Sequence, residues 1–467
     1  MSGLDELTRE ELLRLVIRLD ETVQAQQKQI AELSAVVERQ AQRITELEEE
    51  VARLRGGRPG SDLCIKPSVP KKEKVPRKKR EHCFARKNLV ADEIRVHAYD
   101  VCPDCGRRLS GGSVKWRHQV TDIPPMKARR VDHLFVECRC GVCGKRWTPA
   151  ANVVLAEVVA GKRNIGIGLM SLVAHLKTVC RMPVAQIRKL LNTLLGVKIS
   201  AGEIVEILHA VAGIGANEYD ELLKRVRGSP VAHGDETGWR ENGVNGYIWS
   251  FSTPEVRYYT YRHSRGSVVV KEVLGEEFAG TLVTDFYGAY NIYDGMKQRC
   301  WVHLLRDLKA LVEKNPDMPA VSGWVKAVRD VYDRAKEAAK GTYTDNERGR
   351  LRQSFESELL ALAEPYWKNA TAPERVLAER MERFIGELFV FVQCSEVPSE
   401  NNAAERAIRP AVVARKISGG TRSPRGSSTA SVLRSVFETW GLQSCNTIEA
   451  CRQMISNANQ QALAATP

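Results

Sequence analysis

The sequence predicts a multidomain α/β chain, and three observations predict it. A seven-residue repeat runs from Leu12 to Leu54, paired C-x-x-C turns lie between Cys102 and Cys143, and near residue 228 the apolar pattern changes from helical spacing to short strands. A chain of 467 residues exceeds one ordinary core. Its 43% hydrophobic and 27% charged residues are those of a soluble globular protein, and its net charge of +13 favours a polyanionic partner, nucleic acid before a membrane surface. The opening "MSGLDELTREELL" lacks the basic-then-apolar order of a secretory signal. The most apolar window, "IGIGLMSLVAHLKTVC", is too short to span a bilayer. Twelve cysteines without a signal imply reduced thiols, some on metal, in a cytoplasmic protein with no membrane partner.

The repeat puts Val16, Val23, Ile30, Val37, Ile44 and Val51 on one seam, and Leu12, Leu19, Gln26, Leu33, Gln40, Leu47 and Leu54 on the other. β-Branched residues facing mostly Leu favour a parallel two-stranded coil, so residues 1–56 are expected to hold a homodimer. "RGGRPG" ends the helix. The linker 57–95 is basic, with ten Lys or Arg between Lys66 and Lys87 among three prolines, and is expected to be extended. Lys71, Lys72, Arg77, Lys78, Lys79 and Arg80 are its candidate DNA-phosphate contacts; a solvated tether is the bland reading.

"CPDCG" (102–106) and "CGVCG" (140–144) each present two thiols from a tight turn with Gly to reverse the chain. Two such turns complete a four-sulfur tetrahedron, so Cys102, Cys105, Cys140 and Cys143 are expected to hold one structural zinc in a zinc ribbon at 96–150, with strand-like chain between them and Cys138 as a spare thiol. Residues 151–227 read as a helical segment. Its halves divide at Gly196, and Ser200 with Glu203 opens the second as a capping box, compatible with a DNA-binding helix-turn-helix or an ordinary bundle.

Beyond 228, "GSPVAHGDE", "GYIWSFST", "VRYYTYRH" and "GTLVTDFYGAY" read as strands, with "SVVVKEVLGEEF" a helix before the last. The first strand delivers Asp235 and Glu236 to an expected Gly-Trp turn. Three strands, a crossover helix and a fourth strand open a ribonuclease-H-like catalytic core, expected at 228–308 and 396–420, in which the first and fourth strand ends are neighbours. That brings Asp285 to Asp235. In "SENNAAERAIRPAVVARK", Asn402, Glu405 and Arg409 share a helical face, so Glu405 can approach both aspartates. Three carboxylates at one point repel unless hard cations sit between them; two Mg2+ or Mn2+ ions about 4 Å apart suit phosphodiester chemistry. An all-α insertion (309–395) and a C-terminal helical region (421–467) complete the chain.

Together, "HGDETGW", "TDFYGAY", "CWVHLLRDL" and "NNAAERAIRP", preceded by zipper and ribbon, resemble the insertion-sequence-66 family of bacterial DDE transposases, from "CPDCG" to "VLRSVFETWGL" (432–442). The resemblance implies a nucleoid-associated enzyme performing metal-dependent end cleavage and strand transfer on double-stranded DNA, both element ends and target, with accessory proteins of the same element as further partners. Asp235, Asp285 and Glu405 would be its triad. His303, in "CWVH", would position the site or the DNA, with Cys300 a buried strand residue and Asn402 and Arg406 in support. Where the family usually has Asp before the paired Asn, this chain has Glu400, an alternative ligand that would leave Glu405 as an ion-pair partner. Arg409, Arg415 and Lys416 lie in an acid-free basic run suited to phosphate contact. The rival class is a non-catalytic zinc-ribbon DNA-binding regulator paired by its coil, which would bind a defined site and never cut.

Overall fold

The computed structural model describes residues 20–24, 26–29, 31, 34–35, 38, 40, 42, 89–123, 126–160 and 163–464. The chain divides into two compact units, Met1–Val120 and Thr121–Pro467. In the first, the described residues between 20 and 42 are helical and exposed, and they include only Val23, Gln26 and Gln40 of the heptad seams. The remaining seam residues and the whole basic arm, Lys71, Lys72, Arg77, Lys78, Lys79 and Arg80 included, lie outside the described residues. Around the first knuckle, Gly106 N–H donates to Cys102 O at 2.9 Å and Cys102 N–H to Arg107 O at 2.8 Å, with Gly106 at φ +70.

The second unit opens with the same turn: Gly144 N–H donates to Cys140 O at 2.9 Å, Cys140 N–H to Lys145 O at 2.8 Å, and Gly144 has φ +70. Here β1 (Cys138–Arg139) pairs antiparallel with β2 (Arg146–Trp147). Of the strand-like chain expected between the knuckles, only β1 at its end forms a strand among the described residues. Val114, Trp116, Ile123, Leu134 and Val136 are all exposed, so their alternation has no buried face to pack and nothing to pair with.

Helices α1 (Ala151–Leu155), α2 (Ile167–Thr178), α3 (Val184–Leu195), α4 (Ala201–Ile214) and α5 (Ala216–Arg227) follow. Gly196 ends α3 in the left-handed region at φ 63, and Ser200 Oγ accepts Glu203 N–H at 3.0 Å to cap α4. Helix α4 buries Ile204, Ile207, Leu208 and Val211 in the main core and shows acids outward, Glu206 pairing with Arg425 at 3.1 Å.

The sheet contains β3 (Val231–Glu241), β4 (Val244–Ser252), β5 (Arg257–Arg262), β6 (Thr281–Thr284) and β7 (Lys297–Arg299), in the order β5-β4-β3-β6-β7. The first three strands form an antiparallel meander; β6 runs parallel to β3, and β7 parallel to β6. Helix α6 (Ser267–Leu274) makes the crossover into β6. The expected Gly-Trp turn does not occur. β3 continues through Gly238 and Trp239, paired with β4 as far as Glu241↔Val244, and the chain reverses at Asn242–Gly243, both at positive φ. Asn-Gly is the two-residue sequence that such a hairpin prefers.

Period-two alternation splits the apolar residues between the two faces. Ala232, Leu282, Trp249, Phe251 and Tyr258 join a core with α2–α6 and with α14 (Pro424–Leu442) and α15 (Thr447–Ala464). On the opposite face, Val231 and Val283 pack with α7 (Trp301–Lys314), α8 (Pro319–Ala338), α9 (Asp345–Trp367), α10 (Arg375–Arg383), α11 (Ile385–Leu388) and α12 (Val390–Gln393). Trp239, Ile248 and Tyr259 on that same side receive Ile408 and Ala411 of α13 (Asn402–Ser418). The outer edge of β5 is closed by hydroxyls of α14 spaced every four residues. Ser431, Ser435 and Thr439 accept the N–H groups of Tyr261, Tyr259 and Arg257 at 3.1, 2.8 and 3.0 Å. Among the described residues no helix is long and apolar enough to cross a membrane.

Candidate active site

Strand register brings the two aspartates together. The β3–β6 pairing ends at His233↔Val283, so Asp235 and Asp285 stand at matching positions two residues further along, on the same face of strands about 4.8 Å apart. β6 stops at Thr284 while β3 runs on, so both acids lie where the strands part. Each carboxylate has one local donor: Glu236 N–H reaches Asp235 Oδ1 at 2.8 Å, and Tyr287 N–H reaches Asp285 Oδ1 at 2.9 Å.

Glu405 sits in the first turn of α13, and Asn401 fixes where that helix starts. Buried Asn401 does not cap its helix with its side chain. Its Nδ2 donates to Gly234 O at 2.9 Å, its Oδ1 accepts from His233 Nδ1 at 3.0 Å, and its N–H donates to Cys300 Sγ at 3.1 Å. The helix is thereby riveted to β3 immediately before Asp235. Cys300 is buried but is not a strand residue. It is the N-cap of α7, one residue past β7, because its own N–H still bonds Thr284 O while the next residue is already helical. His303, one turn on, brings Nε2 to 3.7 Å from Glu405 Oε1.

Behind Asp235, Glu236 points to the other face and is nearly sealed, its side chain 3% exposed. Tyr290 Oη donates to it at 2.7 Å and Arg265 Nη2 at 2.7 Å. Tyr290, carried by a 3-10 turn at Gly288–Ile292, leaves room only for glycine at 234, where a Cβ would come 2.8 Å from its ring. Arg299, fully buried, donates to Asp285 O at 2.8 Å and to Glu387 of α11 at 2.5 Å, tying the aspartate's backbone to the inserted helices.

Burial, and then the negative charges of Glu236, Asp285 and Glu405, push the Asp235 carboxyl up to about 7. Its own neighbour and two acids from distant segments thus act on one carboxyl. Glu405 Oε1 and His303 Nδ1 are buried without hydrogen-bond partners, as atoms left for an absent ligand would be. Among the described residues no three His, Cys, Asp or Glu side chains are drawn in tightly enough to cage a metal ion. Hard oxygen donors fit magnesium or manganese. In each knuckle, backbone N–H groups hold the first thiol below its usual range, those of Cys105 and Asp104 for Cys102, and those of Cys143 and Val142 for Cys140. Readily ionised thiols are zinc donors.

The other sequence-selected residues fall elsewhere. Glu400, the alternative ligand, is engaged by Lys336 of α8 at 3.3 Å. Asn402 is half-buried, and Arg406 and Arg409 are exposed on α13. Arg415 is tied to β3, donating to Gly238 O at 2.6 Å and Thr237 Oγ1 at 3.1 Å, while Lys416 beside it is exposed. Sequence reasoning passed over Asn401 and Tyr290. Two adjacent asparagines at a helix start look alike, and only the packing on β3 tells them apart.

A family profile described as "Transposase IS66 family" matches residues 162–429, more than half of the chain and the whole of the sheet. The chain belongs to the IS66 transposase family. It is also similar to a protein of Sinorhizobium fredii (strain NBRC 101917 / NGR234) named "Uncharacterized protein y4jO", with 28% identity over 177 residues, 37% of this chain. The match spans about half the length, 51%, of that relative.

Proposed function

We propose that this IS66-family chain is a DNA transposase that cleaves the ends of an insertion sequence and transfers them to target DNA. The observation that carries the reading is the convergence of Asp235, Asp285 and Glu405 on one partly buried point, with a Glu405 oxygen left unpartnered. These three would hold two divalent cations. Bound there, such ions supply charge neutralisation at the phosphate and acidify an attacking water or 3′-hydroxyl. The chain's own residues set the stage. Asn401 holds the Glu405 helix on β3, His303 limits where Glu405 can swing, and Arg299 fixes the Asp285 backbone. The order β5-β4-β3-β6-β7, with three parallel strands on one side, is that of a ribonuclease-H-like core and supports the reading.

The same proposal includes the heptad coil as the homodimer contact that handles two ends together, the arm at 71–80 as a phosphate tether, and one structural zinc held by the four knuckle cysteines. Strand transfer on duplexes that mimic the ends of the surrounding element tests the core claim. Asp285→Asn should abolish magnesium-dependent joining while leaving DNA binding intact. Full activity in that variant, or tight binding with no cleavage by the parent chain in any divalent metal, would return the chain to the regulator class.

A further inference from the structure

Where β3 outruns β6, its free edge forms one wall of a cleft of about 510 Å³. Helix α13 supplies the other wall through Arg415, Lys416 and Gly419, and the hairpin contributes Arg240, Asn245 and Tyr247. The cleft is fixed. Arg415 donates to Gly238 O at 2.6 Å, and beyond Gly419 the chain is stitched to the hairpin, Thr421 N–H to Arg240 O at 2.8 Å and Asn242 N–H to Thr421 O at 2.9 Å. Gly238 and Gly246 line it, and the space beside each is taken by a neighbouring side chain, Arg415 at the first and Tyr261 at the second.

The charge inside is one-sided. Lys416 and Arg240 are both exposed, and among the described residues neither side chain has a hydrogen bond or ion pair. Arg415 spends Nη1 on the strand and brings its charge to the same wall. Arg265, held by Glu236 on the face of β3 away from Asp235, lies 4.1 Å over Tyr287 and 5.9 Å from Tyr247, a ring that lines the cleft. Along β3, Gly238 to Arg240 lie roughly 10–16 Å from Asp235 at strand rise. For a duplex whose axis runs along β3, that distance is about three to five steps of axial rise.

We infer that this cleft seats a backbone phosphate of the DNA strand, three to five nucleotides from the bond cut at the acid cluster. The inference rests on the proposed reading for the identity of the polyanion. Lys416 and Arg240 would make the contact, and Arg415 would shape the wall.

Equilibrium binding of the full chain to a fluorescent duplex, with chelator present and salt varied, tests it without any need for cleavage. Arg240→Gln and Lys416→Gln should each lower affinity about eightfold near 0.1 M salt and reduce the salt slope by about one, with the double variant reducing it by about two. Arg240→Lys and Lys416→Arg should restore the slope, which separates lost charge from lost folding. An unchanged slope and affinity in the double variant would overturn the phosphate seat even if the parent chain cuts and joins DNA. A reduced slope in a protein that never cuts would keep the seat and remove the transposase reading.

Discussion

At the scale of single residues, Asp235 carries a cost that the fold maintains. Its carboxyl is raised from 3.8 to about 7, so between those values the folded chain binds a proton that the unfolded chain releases. In the absence of divalent metal, stability should therefore fall as pH rises from about 4 towards 7 and stay low above it. Asp235→Asn should be more stable than the parent by roughly 2–4 kcal/mol at pH 8, with the gain shrinking towards zero near pH 4, as thermal melts in chelator would record. A gain that is constant with pH would contradict the buried, repelled carboxyl. The two asparagines give a second contrast. Asn401→Ala strips Gly234 O and His233 of their partner and should cost about 1–3 kcal/mol together with most strand-transfer activity, whereas Asn402→Ala should leave melting nearly unchanged. His233, which burial lowers to about 4, stays neutral at physiological pH and can therefore serve as a rigid donor to Asn401.

At the scale of elements, the pairing of β5 with hydroxyls rather than with a strand is the feature to test. Ser435→Ala leaves the buried Tyr259 N–H without a partner and should cost roughly 1–3 kcal/mol in denaturant unfolding, while Ser428→Ala, exposed on the same helix, should be near zero. Much of the sheet was legible in sequence, because "VAHG", "YIWSF" and "TLVT" are apolar runs of strand length bounded by turn residues. The length of β3 was misread at Gly238–Trp239, although Asn242–Gly243 carried the stronger turn signal a few residues on. The α14 hydroxyls were visible as letters but not as a device, since a Ser or Thr every fourth residue also describes an ordinary polar stripe. The knuckle strands failed for the converse reason: alternation is a local property, and burial is not.

At the scale of the whole molecule, the acids were legible because Asp235, Asp285 and Glu405 each lie in a short motif at a strand or helix end. What binds those ends together was not, because Arg299, Tyr290 and Asn401 act across separations of many residues. Arg299→Leu should uncouple the inserted helices from the sheet, broadening thermal unfolding into two steps and lowering strand transfer, since the partly buried carboxylate of Glu387 loses its closest counter-charge. A single sharp transition would show that apolar contact alone joins them. The proposed coil predicts that lysine substitutions at Ile30 and Val37 convert a dimer to a monomer by light scattering while each chain still binds DNA.

The hydroxyl seam along β5 also has a bearing on synthesis. Residues 257–262 leave the ribosome well before 431–439, so the meander must wait with one flank of amides open until the last helices arrive. A copy of the gene broken downstream of Glu405 but upstream of residue 431 would make a chain with every acid present and that flank permanently bare, a sticky product rather than a merely idle one.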